Sequence, residues 1–114
     1  MRTLLAVVAV VALAGCAGAT AEAAEPVATS SVELPPSYRF EPEAITVPAG
    51  TEVTWTNTDN FTHSVRLLDD GNLVLTMAPG DSASFTFDEP GLHRYDCSFH
   101  AIDMRGTVLV AEAR

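Results

Sequence analysis

From Tyr38 onward, apolar and polar side chains alternate in short runs separated by turn residues. Tyr38-Arg39-Phe40-Glu41-Pro42 and Ala44-Ile45-Thr46-Val47-Pro48 open the series as short strands, and Ala49-Gly50 follows as a turn. Thr51 to Asn57 sets Val53 and Trp55 on one face and Thr54 and Thr56 on the other, the period of two expected of a half-buried strand. Thr62 to Leu67 and Leu73 to Thr76 flank Asp69-Asp70-Gly71-Asn72, and Asp-Gly between apolar runs predicts a hairpin. After a turn at Met77-Ala78-Pro79-Gly80, Ser82 to Phe87 places Ala83, Phe85 and Phe87 on one face, and Glu89-Pro90-Gly91 ends that run. Leu92 to Asp96 and Gly106 to Val110 complete the set. Seven or eight short strands spaced by about ten residues, with no helical period longer than a turn, predict an all-β sandwich.

The first 36 residues follow neither period. Met1 to Gly15 carries one positive charge, at Arg2, then an apolar run from Leu4 to Ala14. That run is shorter than the roughly 18 residues needed to cross a bilayer, and small residues follow it, so it reads as an export signal. Leu13-Ala14-Gly15-Cys16 has the pattern of a bacterial lipobox, in which Cys16 becomes the lipid-modified first residue; ordinary secretion with cleavage after Ala17 or Ala19 is the alternative. Residues 16–36 are Ala, Thr, Ser, Glu and Pro with almost no large side chains, which predicts a flexible linker able to span roughly 25 Å. The expected organisation is therefore a signal peptide over 1–15, a lipid-anchored linker over 16–36 and one folded domain over 37–114. Its place of work is outside the cytoplasm, on a bacterial cell membrane, or periplasmic or secreted.

Charge narrows the partners. All six basic residues are Arg, against 15 Asp plus Glu in 114 residues, and six less Arg2 of the leader leaves five. Phosphate contacts need a basic surface, so no nucleic acid is expected; a basic protein partner would be steered in. The two cysteines lie one in the leader and one near the end, so an intrachain disulfide is not expected.

Cys97 is the residue that demands chemistry. A lone Cys is ordinarily a small buried hydrophobe, but an exported unpaired thiol is open to oxidation unless a metal holds it. Cys97, His100 and Met104 place a thiolate, an imidazole and a thioether within eight residues. This soft set suits copper; zinc takes Cys and His readily, but Met is not among its usual ligands. The trio also fits one helical face, yet a two-turn uncapped helix between a β-patterned run and Gly106 is a poorer reading than a loop. A fourth ligand must come from elsewhere, and His63, beside a strand that can pair with the one leading to Cys97, is the candidate. His93 lies on the strand face of Tyr95 and Cys97 but about 13 Å back along it, and is read as a packing residue. Two imidazoles and a thiolate in a plane with a weak axial Met form the type 1 blue-copper arrangement. Asn60-Phe61-Thr62 is formally a glycosylation sequon, not expected to be used beside a bacterial lipobox.

The loop Cys-x2-His-x3-Met-Arg-Gly, preceded by Gly-x-x-x-Tyr-x-Cys and by an upstream Asn-x-x-x-x-x-His, resembles the cupredoxins of the amicyanin and plastocyanin type over roughly residues 38 to 112. The resemblance implies an antiparallel Greek-key sandwich with copper near one end, bound by His63, Cys97, His100 and axial Met104, and a role in moving single electrons through the exposed edge of His100. Three positions depart from the pattern. Ser64 stands where an Asn commonly pins the Cys loop, and is expected to reach less. The His-to-Met spacing lies between the amicyanin and plastocyanin lengths. Phe99 replaces a Pro and is expected to bring a backbone N–H toward the Cys97 sulfur.

Four protein ligands with no open position argue for an electron carrier and against an enzyme. A transient redox protein partner would dock near His100, on an apolar rim of Phe99, Ala101, Ile102 and Met77 around a monomeric domain. The alternative is a cell-surface protein that binds or delivers copper; a metal-free adhesive sandwich would leave the Cys97 loop unexplained.

Overall fold

The computed structural model describes residues 25–113. The leader and Cys16 lie outside the described residues. Nine strands form two sheets: β1 (Val27–Ala28), β2 (Ser31–Leu34), β3 (Ala44–Pro48), β4 (Thr51–Asn57), β5 (His63–Leu67), β6 (Leu73–Met77), β7 (Ser82–Phe87), β8 (Gly91–Asp96) and β9 (Arg105–Ala111). The larger sheet has the order β1-β3-β9-β8-β5-β6 and the smaller β2-β4-β7. The predicted β-sandwich is thus present, with its strands close to the predicted bounds from Ala44 onward.

Three expectations are corrected. The linker predicted over 16–36 is strand from Val27: β1 and β2 pair in parallel with β3 and β4, and Val32 and Leu34 lie in the core. The stretch is poor in large residues, but its two large apolar side chains alternate with Glu33, so four residues suffice to add a strand to an open sheet edge. Pairing β3 with β9 is parallel as well, so the sandwich is mixed and not wholly antiparallel. The Tyr38–Pro42 run is not a strand; it is a turn whose end, Glu41, makes an isolated bridge to Glu33.

Alternation carries the packing. In β4, Val53 and Trp55 are fully buried while Thr54 and Thr56 bond outward to Ser84 and Ser82 of β7. Trp55 packs edge-on against Phe87 and Tyr95, and Phe40 packs on Tyr95 at 4.7 Å. Aromatic pairs of this geometry contribute about 0.5–1.5 kcal/mol beyond the area they bury. Arg66 forms a two-pronged ion pair with Asp96, joining β5 to β8, and Arg94 does the same with Asp69, whose carboxyl is held down at about 2 by the guanidinium.

His93 has the packing role expected of it. Its ring stands edge-on to Phe87 at 5.1 Å, with Nδ1 2.9 Å from an Asp70 oxygen and Nε2 2.7 Å from the Glu89 carbonyl. Both ring nitrogens face acceptors, an arrangement satisfied in full by the imidazolium. Burial pushes its pKa down, but the Asp70 and Glu89 bonds and the nearby Asp69 charge outweigh it, and the net direction is up.

Gly106 fills a different need. A Cβ there would lie 2.3 Å from the Tyr95 ring, the neighbour facing it across the β8–β9 ladder. Gly106→Ala should therefore displace Tyr95 from its place on Trp55 and Phe40 and cost about 1–3 kcal/mol, as overpacked cores do. In a domain of this size each kcal/mol lowers Tm by roughly 4–8 °C; calorimetry showing a wild-type Tm would refute the clash. The pH dependence of stability follows from His93. A raised native pKa stabilises the fold fully below the ordinary value of about 6.5, and the contribution is lost as pH rises through the native value. Tm measured from about pH 6 to about pH 9 should fall more steeply in wild type than in His93→Gln; parallel curves would show that His93 is not held as the cation.

Candidate metal centre

Strand β5 begins with His63 and β8 ends one residue before Cys97, so the two strands present these side chains at the same end of the larger sheet. The β5–β8 ladder is short: Arg66 faces Asp96 and Leu67 faces Tyr95, and beyond that point the chain leaves the sheet. Residues 97–104 form a loop of successive turns, in which His100 N–H donates to the Cys97 carbonyl, Met104 N–H to the His100 carbonyl and Cys97 N–H to the Met104 carbonyl. The loop reading holds. These bonds close Cys97, His100 and Met104 into one unit.

The Cys97 Sγ lies 3.9 Å from Nδ1 of His63 and 3.9 Å from Nδ1 of His100, and the three donor atoms all fall within 4.8 Å of one another. An ion with bonds of about 2.3 Å to sulfur and about 2.0 Å to nitrogen, at trigonal angles, sets sulfur and nitrogen roughly 3.7–3.9 Å apart. The spacing fits a bound metal. Cys97, His63 and Met104 are buried completely and His100 is half-buried. His93 takes no part in this cluster.

His63 is oriented by a residue that sequence reasoning missed. Its Nε2 lies 2.8 Å from Asp59, whose nearly buried carboxyl is held below the usual carboxylate range chiefly by that bond. With Nε2–H donating to the carboxylate, the Nδ1 lone pair faces the sulfur and is free for a metal. Buried Asn57 shapes the intervening loop, giving Nδ2 bonds to the Phe61 and Met77 carbonyls and accepting from Asp59 N–H. The signal available in the sequence was a carboxylate four residues before the His.

Ser64 and Phe99 reverse two expectations. Ser64 N–H donates to the Cys97 sulfur at 3.4 Å, Ser98 N–H donates to the Ser64 hydroxyl at 2.8 Å, and the two hydroxyls bond at 2.7 Å. Ser64 does pin the loop, because the loop's own Ser98 closes the distance. Phe99 N–H makes no such bond to the sulfur, and its side chain is exposed, as is Ile102; Ala101 is half-buried. Met77, expected on the same rim, is fully buried in the core because its place opposite His63 on β6 turns it inward.

Residues 4–110 match the family model described as a cupredoxin-like domain. A plastocyanin of Scenedesmus fuscus is 34% identical over 83 residues, an overlap of 62% of this chain and 85% of that protein. Among solved structures, a purple cupredoxin from Nitrosopumilus maritimus superposes with a TM-score of 0.63 at 28% identity, covering 73% of this chain and 100% of its own. A proline-to-phenylalanine variant of amicyanin in its reduced state gives a TM-score of 0.64 at 31% identity, over 80% of this chain and 88% of the other. A two-sheet sandwich with thiolate and imidazoles converging where β5 and β8 part, matched along nearly its whole sequence, places the chain in the cupredoxin-like family.

Proposed function

We propose that the protein is a mononuclear type 1 copper protein that carries one electron at a time, the ion held by His63, Cys97 and His100 with Met104 as the weaker axial ligand. The observation that carries the reading is the convergence of one buried sulfur and two imidazole nitrogens within 4.8 Å. When bound, copper supplies the electron by passing between Cu(I) and Cu(II). The protein's share is to hold the donors. Asp59 fixes the His63 tautomer, Ser64 donates to the sulfur, and the turn bonds of the loop keep Met104 beside Cys97. Burial keeps water from the sulfur and the ion.

Half-buried His100 is the ligand nearest solvent, and exposed Phe99 and Ile102 beside it suit a small, brief apolar contact with a redox partner. The formal charge of −9 favours a basic one. We place the protein outside the cytoplasm as a monomer carried on a membrane through Cys16, with residues 1–15 removed as a signal peptide. With Met104 as the fourth donor, the ion would have no open position for a substrate, which argues for a carrier and against catalysis. Copper delivery would call for exposed Met or His clusters, and His63, His93 and Met104 are all buried.

Two experiments test these assignments. Copper(II) added to the purified domain should give intense visible colour that ascorbate bleaches. Cys97→Ser should abolish it, while Met104→Leu should keep it with a changed potential; a coloured Cys97→Ser protein would sink the thiolate assignment. For the anchor, wild type expressed in a bacterial host should partition with membranes and Cys16→Ala with the soluble fraction. Equal partitioning would favour plain secretion.

A further inference from the structure

The segment between β2 and β3 holds two consecutive non-glycine residues in the left-handed region, Ser37 at φ 87° and Tyr38 at φ 54°. Asn72, the third such position among the described residues, sits in a hairpin turn where Asn tolerates this conformation. A tyrosine does not, and a bulky residue stays there only when its surroundings over-determine it. They do. Glu33 and Glu41 exchange both backbone hydrogen bonds at 2.8 Å and close the base of the loop, while Leu34 and Phe40 on either side are anchored in the core. Pro35 and Pro36 stiffen what remains.

The result is a ring laid on the metal centre. Tyr38 lies 4.4 Å from the His100 ring, centroid to centroid, at an interplanar angle of 51°, and 6.1 Å from His63 edge-on. His63 is held by the Asp59 carboxylate, but the only hydrogen-bond partner of the His100 ring among the described residues is the Cys97 sulfur itself. The two imidazoles are thus supported by different means.

We propose that Tyr38 is a positioning residue for the copper site, a ring that keeps the His100 imidazole in its ligating orientation and covers part of its solvent side. The inference rests on reading His63, Cys97 and His100 as copper ligands. A surface tyrosine merely resting on its neighbours would relax its backbone and swing outward, since it remains 44% exposed and gains little from burial. Holding the strained conformation makes sense where the contact with His100 is what the loop is built to make. The phenol π-face also attracts the positive charge that a metal places on an imidazole, more so for Cu(II) than for Cu(I). Tyr38 then favours the oxidised state and restrains the one ligand that is not fully buried.

The test uses the full copper-loaded chain with Tyr38→Ala, Tyr38→Leu and Tyr38→Phe. Transfer of Cu(I) to a chelator should be about tenfold faster in Tyr38→Ala than in wild type and within about twofold of wild type in Tyr38→Phe. Voltammetry should show the potential raised in Tyr38→Ala and restored in Tyr38→Phe; a tenfold change in the ratio of the two affinities corresponds to about 59 mV for one electron. Tyr38→Leu, which keeps bulk without a π-face, should follow Ala in potential, and it carries the comparison should Tyr38→Ala fail to fold. Wild-type release and potential in a folded Ala or Leu variant would overturn the proposal, as would Tyr38→Phe behaving like Tyr38→Ala. A wild type that takes up no coloured copper would instead overturn the underlying reading of the site, so the two failures are told apart.

Discussion

The site depends on what happens where the β5–β8 ladder stops. One residue past the Arg66–Asp96 pair, backbone pairing gives way, and buried N–H groups would be left without acceptors. Ser64 resolves this from both sides: its own N–H goes to the Cys97 sulfur, and its hydroxyl accepts from Ser98 N–H. A thiolate in a fully buried position is costly unless donors or a metal meet it. The same bonds that finish the sheet therefore make the sulfur tenable there. An apolar residue at position 64 would leave the part-buried Ser98 N–H without its partner, a loss of about 1 kcal/mol, and would free the loop at the point where its geometry matters most.

Behind the loop, the stems are set by packing. Tyr95 precedes Cys97 by two residues and sits between Phe40, Trp55 and the flat surface of Gly106. Phe40 comes from the same N-terminal segment that supplies Tyr38, with β2 sealing the smaller sheet behind it. One run of residues thus anchors the core on one side and reaches the imidazoles on the other. Removing the segment before β3 would strip both, so the N-terminal strands belong to the metal-binding unit and are not a spacer in front of it.

From Ala44 on, the fold was legible because β4, β7 and β9 show a period of two and the turns between strands carry Gly, Pro, Asn or Asp. The ligand cluster was legible because thiolate, imidazole and thioether in one loop have few other uses. What escaped detection is instructive. β2 contributes only Val32 and Leu34 to the core, too few to stand out in a stretch of Ala, Ser and Thr. Tyr38 continues an apparent alternation into Phe40, and only the tertiary closure of Glu33 on Glu41 shows that the chain turns there. Asp59 looked like loop polarity, for a carboxylate four residues from a His has meaning only once the loop folds back. Ser64 is short by itself, and its reach depends on Ser98, which no pairwise pattern announces.

The way the donors are held bears on whether copper would stay or pass through. The side chains gathered there are held by bonds that involve no metal: His63 by Asp59, the sulfur by Ser64, and the backbones of His100 and Met104 by the turns of the loop. Such a frame changes little when the ion gains or loses an electron, which keeps the cost of electron transfer small. It also opposes release. Copper could leave only if the 97–104 loop opened, which would break the turn bonds together and expose a sulfur now fully buried. A delivery protein needs the reverse, ligands that a recipient can displace one at a time from the surface. Of the four proposed ligands only His100 is not fully buried, and a partner approaching at one imidazole would suffice for an electron but not for the ion.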